Sequence, residues 1–140
     1  MAHWIVGQDG EPELRQMYER HYSCYHYKDG RKPKKFVGPG EHIVLTTPKR
    51  TALFVWRKFI DASGENGINC SIFRNESEIL SSDLIREADA IADFIWPGER
   101  HYTYVRGEAV KSRNPGWCYI CAGWSKCGFT KKGLLILERR

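Results

Sequence analysis

The feature that most constrains this sequence is a strand–helix–strand unit near its centre. Ile68–Phe73 reads as a short strand, apolar enough for the centre of a sheet. After the polar crossover Arg74–Leu80, Ser81 or Ser82 offers a hydroxyl cap and Asp83 suits the positive first turn of a helix. Leu84, Ile85, Ala88, Ile91, Ala92 and Ile95 form its apolar stripe, and Trp96-Pro97-Gly98 ends it. His101–Val105 is aromatic, β-branched and alternating, which suits a second strand. Strands joined through a helix in this way lie parallel, with a right-handed crossover. Whatever else the chain does, Ile68–Phe73 and His101–Val105 are expected as parallel neighbours under a long helix.

The flanking segments extend this unit at both ends. Glu11–Tyr27 reads as a first helix, because Leu14, Met17, Tyr18, His21, Tyr22 and Tyr25 recur at three- and four-residue intervals. His42–Thr47 and Thr51–Phe59 are strands whose short connection makes an antiparallel hairpin, with Phe54, Trp56 and Lys58 on one face of the second. Beyond Val105, Asn114 and Pro115 predict a short helix of about two turns carrying Trp117–Cys121, with Gly123 just past its end. It is too short and too apolar to stand alone, so it must pack on a sheet. Gly128–Thr130 and Gly133–Leu137 close the chain as paired strands. The expected architecture is a single α/β domain over residues 1–140. Its mixed sheet begins with an antiparallel hairpin, continues with parallel central strands, and carries helices on both faces.

Bulk properties narrow the class. With 140 residues, 41% of them hydrophobic, the chain can bury a real core. No apolar run is long enough to span a membrane and no signal peptide opens the sequence, so the expectation is a cytoplasmic protein with no membrane partner. The five cysteines, Cys24, Cys70, Cys118, Cys121 and Cys127, are an odd set and read as reduced thiols. Cys118-x-x-Cys121 falls on the short helix rather than on a knuckle, so it reads as buried free thiols before it reads as zinc. The net charge of +5 is gathered in patches. Arg31, Lys32, Lys34 and Lys35 form one run, preceded by Tyr22, Tyr25 and Tyr27. Cations beside aromatics suit phosphate contact and base stacking, as for a nucleic-acid partner.

This order of elements resembles the GNAT acyltransferase superfamily, in which two parallel strands splay and an acyl donor lies in the gap. The resemblance puts Tyr119, on the short helix, in the place of the general acid that protonates a leaving thiolate. Within the superfamily the chain is most similar to the Mom-like branch of bacteriophage DNA-modification proteins. The marks are His21-Tyr22-Ser23 after the first helix, the Ser81-Ser82 helix start, and Gly116-Trp117-Cys118-Tyr119 leading into Ala122-Gly123-Trp124. That branch implies transfer of an acyl or glycine-like group to an amine on a DNA base, in a host bacterial cytoplasm. Two departures stand out. The segment 74–83 lacks the glycines that would cradle a pyrophosphate, and Glu76, Glu78 and Asp83 would repel it. Arg106 and Gly107 also stand where the branch tends to carry an aspartate.

Amine acylation needs a base, a hydrogen-bond donor to the electrophile and an acid for the leaving group. His21 is the candidate base, since an ordinary imidazole titrates near working pH. Tyr22 and Tyr119 are the candidate donors and acids. Ser23, Arg74 and Ser82 are candidates for holding the donor, which the resemblance makes acetyl-CoA or another acyl donor. Arg31, Lys32, Lys34 and Lys35 would hold DNA, and Trp124, Tyr102 or Tyr104 would flank an extruded base. His21 and His26 with a tyrosine could instead hold iron. The alternatives are a conventional acetyl-CoA-dependent N-acetyltransferase acting on a small amine, and a non-catalytic nucleic-acid-binding module of the same fold.

Overall fold

A computed structural model describes residues 2–21, 34–59, 64–106 and 116–140. The strands among them form a single mixed sheet. They are β1 (Ile5–Val6), β2 (Glu41–Thr46), β3 (Ala52–Lys58), β4 (Ile68–Asn75), β5 (His101–Val105), β6 (Ser125–Phe129) and β7 (Leu135–Arg139). The spatial order is β1-β2-β3-β4-β5-β7-β6. Only β4 and β5 run parallel; every other pairing is antiparallel. Helix α1 (Pro12–Glu19) covers one face, and α2 (Ser81–Ile95) and α3 (Trp117–Cys121) cover the other.

Each face buries its own core. Leu14 and Met17 of α1, both fully buried, meet Val44, Leu53, Val55 and Ile72. On the opposite face Phe54 and Trp56 pack under Leu84, Ile85, Ala88 and Ala92 of α2. The alternation read from β3 therefore holds: Phe54 and Trp56 turn one way, Val55 the other. Trp56 also donates its indole N–H to the Ala88 carbonyl at 2.8 Å, and Trp4 donates to that of Leu84 at 2.8 Å. Two indoles thus tie α2 to the sheet by hydrogen bonds that cost the core nothing.

Several expectations are corrected. Neither Ser81 nor Ser82 caps α2. The cap position is Leu80, with no side-chain hydrogen bond. The Ser81 hydroxyl instead accepts from the Asn75 amide at 2.9 Å, and that amide also donates to the Ile79 carbonyl at 2.7 Å. Asn75 thereby shapes the β4–α2 turn from the strand side. Helix α1 ends at Glu19, and just beyond it Arg74 Nη1 donates to the Arg20 carbonyl at 2.8 Å. Helix α3 has five residues rather than two full turns.

The closing hairpin was expected only as a pair. In the structure β7 also pairs with β5 and so lies inside β6. Leu135, Ile136 and Leu137 are at most 8% exposed, whereas β6 is largely exposed, so the apolar strand takes the inner position.

Candidate active site: the gap between β4 and β5

The parallel pair is zipped over three positions only: Ile68 with His101, Asn69 with Tyr102, and Cys70 with Thr103. Beyond Cys70 and Thr103 the two strands run on without ladder pairs. Thr103 marks the fork, its hydroxyl donating to the Cys70 carbonyl at 2.8 Å. On the other side of β4 the register to β3 shifts at the same place, from Trp56–Cys70 to Val55–Ile72. Ser71 is the extra residue. Such a bulge bends its strand and increases its twist, which carries β4 away from β5.

A cleft of about 140 Å³ fills the opening. It is lined by His21, Cys70, Ser71 and Phe73 on one side and by Thr103, Tyr104 and Val105 on the other, with Gly116, Cys118 and Tyr119 across one end. Drug-sized ligand sites run to roughly 300–1,000 Å³, so this space suits the reacting ends of two molecules rather than a whole one. His21 follows α1 and Tyr119 belongs to α3, which lie on opposite faces. The cleft thus joins groups from both sides of the sheet.

Tyr119 is held in place by its surroundings. Its ring packs on Trp124 with centroids 4.9 Å apart and edge-on against Phe73 at 6.1 Å. Its hydroxyl is 3.3 Å from Cys70 Sγ. Burial pushes the Cys70 thiol up to about 12, so Cys70 stays a neutral partner and is not a nucleophile. The short helix can start where it does because Gly116 has φ of 77°; a Cβ there would meet Leu137 Cδ1 at 2.3 Å. Only glycine allows α3 to press this close to β7.

His21 differs from the sequence expectation in strength. Burial, and then the Arg74 charge, lower its pKa to about 4, against a hydrogen bond to the Phe73 backbone that favours the charged form. At neutral pH it is an uncharged imidazole. Arg74 lies in a tight cluster: Arg20 grips Glu76 through both Nε and Nη2, at 2.7 and 2.6 Å, and Arg74 Nε donates to the same carboxylate. Those donors, Arg20 first, lower the Glu76 carboxyl to about 2. Two guanidiniums against one carboxylate leave the cluster with a positive balance, so Glu76 does not repel a phosphate as the sequence suggested. Asp83 is likewise paired, with Arg86 at 3.0 Å.

The remaining sequence candidates scatter. Ser82 is 5% exposed, on the core side of α2. Lys34 and Lys35 are exposed beside Gly10, at the end of α1 opposite His21. Tyr22, Ser23, Arg31 and Lys32 lie outside the described residues, as do Cys24, His26, Asn114 and Pro115. Trp124 and Tyr102, considered for flanking a base, are core residues at 2% and 0% exposure; Tyr104 alone of that trio lines the cleft. The described cysteines are free thiols, and Cys121 and Cys127 are exposed rather than buried. Among the described residues no group of three or more His, Cys, Asp or Glu could hold a metal, and no helix is long and apolar enough to cross a membrane. Ser71 and Cys70 were not picked out as site residues from the sequence. Both sit in the alternating stretch Ile68–Phe73, where nothing local sets them apart.

With the geometry in hand, the chain can be compared with known proteins. No protein-family model matches it, and no curated protein does. Among solved structures it is similar to an acyl-CoA N-acyltransferase from Pseudomonas aeruginosa, with 13% identity, a TM-score of 0.61 and 98% of each chain covered. The fold is GNAT-like.

Proposed function

We propose that this protein is an N-acyltransferase that passes a short acyl group from a thioester donor, such as an acyl-CoA, to a weakly basic amine. The observation that carries the reading is the fork. Two parallel strands part after Cys70 and Thr103, and a tyrosine and a neutral histidine reach the same gap from opposite faces. The fold shared with an acyl-CoA N-acyltransferase supports it.

The residues present fit such a donor. The cleft-facing edges of β4 and β5 offer unladdered backbone groups. The first N–H groups of α2, at Ser81 and Ser82, and the positive Arg20–Arg74 cluster would take the phosphates. The thioester supplies an activated carbonyl and a thiolate leaving group. Tyr119 is placed to give that thiolate a proton, and Phe73 and Trp124 fix the direction of its hydroxyl.

The weakness of His21 indicates the acceptor. An imidazole with a pKa of about 4 cannot draw a proton from an alkylammonium. It can take one from an amine already neutral at pH 7, as the new bond forms. Aromatic and nucleobase amines are of that kind, and an amine on a DNA base is the narrower acceptor we propose. The described part of the basic run, Lys34 and Lys35, is exposed at the other end of α1 from His21, so it would meet a DNA backbone away from the cleft.

The test is direct. The protein is incubated with acetyl-CoA and a panel of arylamines, nucleosides, oligonucleotides and alkylamines, and free thiol and N-acyl product are measured together. Equal amounts of both, with arylamine or nucleobase acceptors preferred, are expected. No thiol release with any acceptor, and no thermal shift with acetyl-CoA, would remove the transferase reading.

A further inference from the structure

The cleft has two halves, on opposite sides of the sheet. Val105 packs in the core under α2 and α3, so strand alternation turns its neighbour Tyr104 toward the side of α1. His21 is on that side too, its N–H donating to the Tyr18 carbonyl of α1 at 2.9 Å. Phe73 faces the α2 side, where it packs on Phe54 and Tyr119. The proposed acid and the proposed base therefore stand in different halves, and Tyr104 shares the half of the base.

Tyr104 is half-buried and lines the cleft. Its backbone is laddered to Ile136 of β7, and its ring meets that of Tyr102 with centroids 5.7 Å apart and planes at 67°. Tyr102 is fully buried, with the Arg100 guanidinium 5.1 Å from its ring centroid. The Tyr104 ring is thus braced by the strand it sits on. The rest of the lining suits an uncharged guest. Phe73, Val105 and Gly116 are apolar, and among the described residues no Asp or Glu lines the cleft, so a cation would find no counter-charge there. Size agrees: a cavity of roughly 150 Å³ takes one benzene ring, and this cleft measures about 140 Å³ and opens at the surface.

We infer that Tyr104 is a specificity-determining residue whose ring stacks on a planar aromatic ring carrying the acceptor amine, an inference that rests on the acyl-transfer reading above. Low basicity alone does not require a ring, since alkoxyamines are also neutral at pH 7. His21 selects for a neutral amine, and Tyr104 adds selection for a flat π-face. A stacking contact of this kind is worth about 5- to 10-fold in affinity.

The experiment uses acetyl-CoA with two weakly basic acceptors, aniline, which has a ring, and O-methylhydroxylamine, which has none. Wild type should prefer aniline in kcat/KM. Tyr104→Leu should lower kcat/KM for aniline about 5- to 10-fold, chiefly through KM, and leave O-methylhydroxylamine within about 2-fold. Tyr104→Phe keeps the ring and should stay close to wild type with both. Equal losses with the two acceptors would make Tyr104 a general wall of the cleft. A Tyr104→Phe enzyme as poor as Tyr104→Leu would give the effect to the hydroxyl, and unchanged rates in Tyr104→Leu would take the ring away from the acceptor; each overturns the inference. A measurement on wild type does not depend on a variant folding. Bound acetanilide, the aromatic product, should show nuclear Overhauser contacts from its ring protons to the Tyr104 ring, and their absence at saturation would overturn the inference, as would donor binding without turnover of aniline. If wild type releases no thiol with either acceptor and acetyl-CoA causes no thermal shift, the acyl-transfer reading itself has failed, a result distinct from a Tyr104→Leu enzyme of wild-type selectivity.

Discussion

The two ends of the β4–β5 pair are built on opposite terms. At the zipped end His101, fully buried, lies against two carboxylates of α2. Its Nδ1 is 2.8 Å from Asp89 Oδ1, and its Nε2 is 3.2 Å from Asp93 Oδ1 but off the line of a hydrogen bond. Trp124 donates to the other Asp89 oxygen at 2.9 Å, and Arg139 of β7 pairs with Asp93 at 3.0 Å. This network joins α2, β5, β7 and the residue before β6. At the forked end, three residues along β4 from Ile68, the groups are of another kind: the Ser71 hydroxyl has no partner among the described residues, His21 is uncharged, and the Tyr119 hydroxyl lies 3.3 Å from Cys70 Sγ. The closed end holds the strands together, and the open end lines the cleft. The Trp124 ring links the two, since it is anchored on Asp89 and packs on Tyr119.

That contrast can be broken first at the closed end. Asp89→Ala should cost about 3–5 kcal/mol in chemical denaturation, because His101 and the Trp124 N–H lose a buried partner together. Ser71→Ala should cost no stability and gain up to about 1–3 kcal/mol, since it removes a buried hydroxyl with no partner among the described residues. Comparable losses for the two would erase the distinction. Next comes turnover: Tyr119→Phe should lower kcat on the order of 100-fold, with the ring packing on Trp124 and Phe73 retained. A Tyr119→Phe enzyme at full rate would take the acid role from this residue.

The pH dependence sharpens the comparison further. His21 ionises near 4 in the fold and near its ordinary 6.5 when unfolded. Between those values the unfolded chain binds a proton that the folded chain refuses, so stability rises with pH across that window. Above it His21 contributes nothing. His21→Asn should therefore lose less stability than wild type between pH 7 and pH 5. Glu76 slopes the same way in a lower window: its depressed pKa adds stability that is present above the ordinary carboxylate range and lost as pH falls toward 2. With a neutral amine acceptor, kcat/KM should be flat from pH 6 to 8. A tenfold rise per pH unit would mean an alkylammonium that must first lose its proton. The smallest effect is expected for Arg74→Gln. Releasing the Arg20 carbonyl should loosen the chain around His21 and cost a few-fold in turnover with under about 1 kcal/mol in stability.

Much of the frame could be read in advance from patterns of period 2 and 3.6. His101–Val105 has the bounds expected of it, α2 runs where its stripe runs, and the parallel pairing follows from the crossover. The site was less visible, for identifiable reasons. The bulge at Ser71 is hidden because Ile68, Cys70 and Ile72 read as one face of an unbroken strand, whereas Cys70 and Ile72 pack into opposite cores. The end of α1 is met by Arg74, more than fifty positions away, and no local pattern places its guanidinium on the Arg20 carbonyl. The weak basicity of His21 has the same origin, being set by burial and that same arginine. The inner place of β7 could have been inferred from Leu135–Leu137 beside the polar Ser125–Gly128, since the more apolar of two closing strands belongs inside.

The most direct test of the central claim is a backbone amide titration by NMR, adding acetyl-CoA to the isotopically labelled protein. If the fork is the donor site, the largest shifts fall on Ser71–Phe73, Tyr104–Val105 and Cys118–Tyr119, with Ile68 and His101 at the zipped end little changed. Saturable shifts that avoid the fork, or none at millimolar acetyl-CoA, would contradict it.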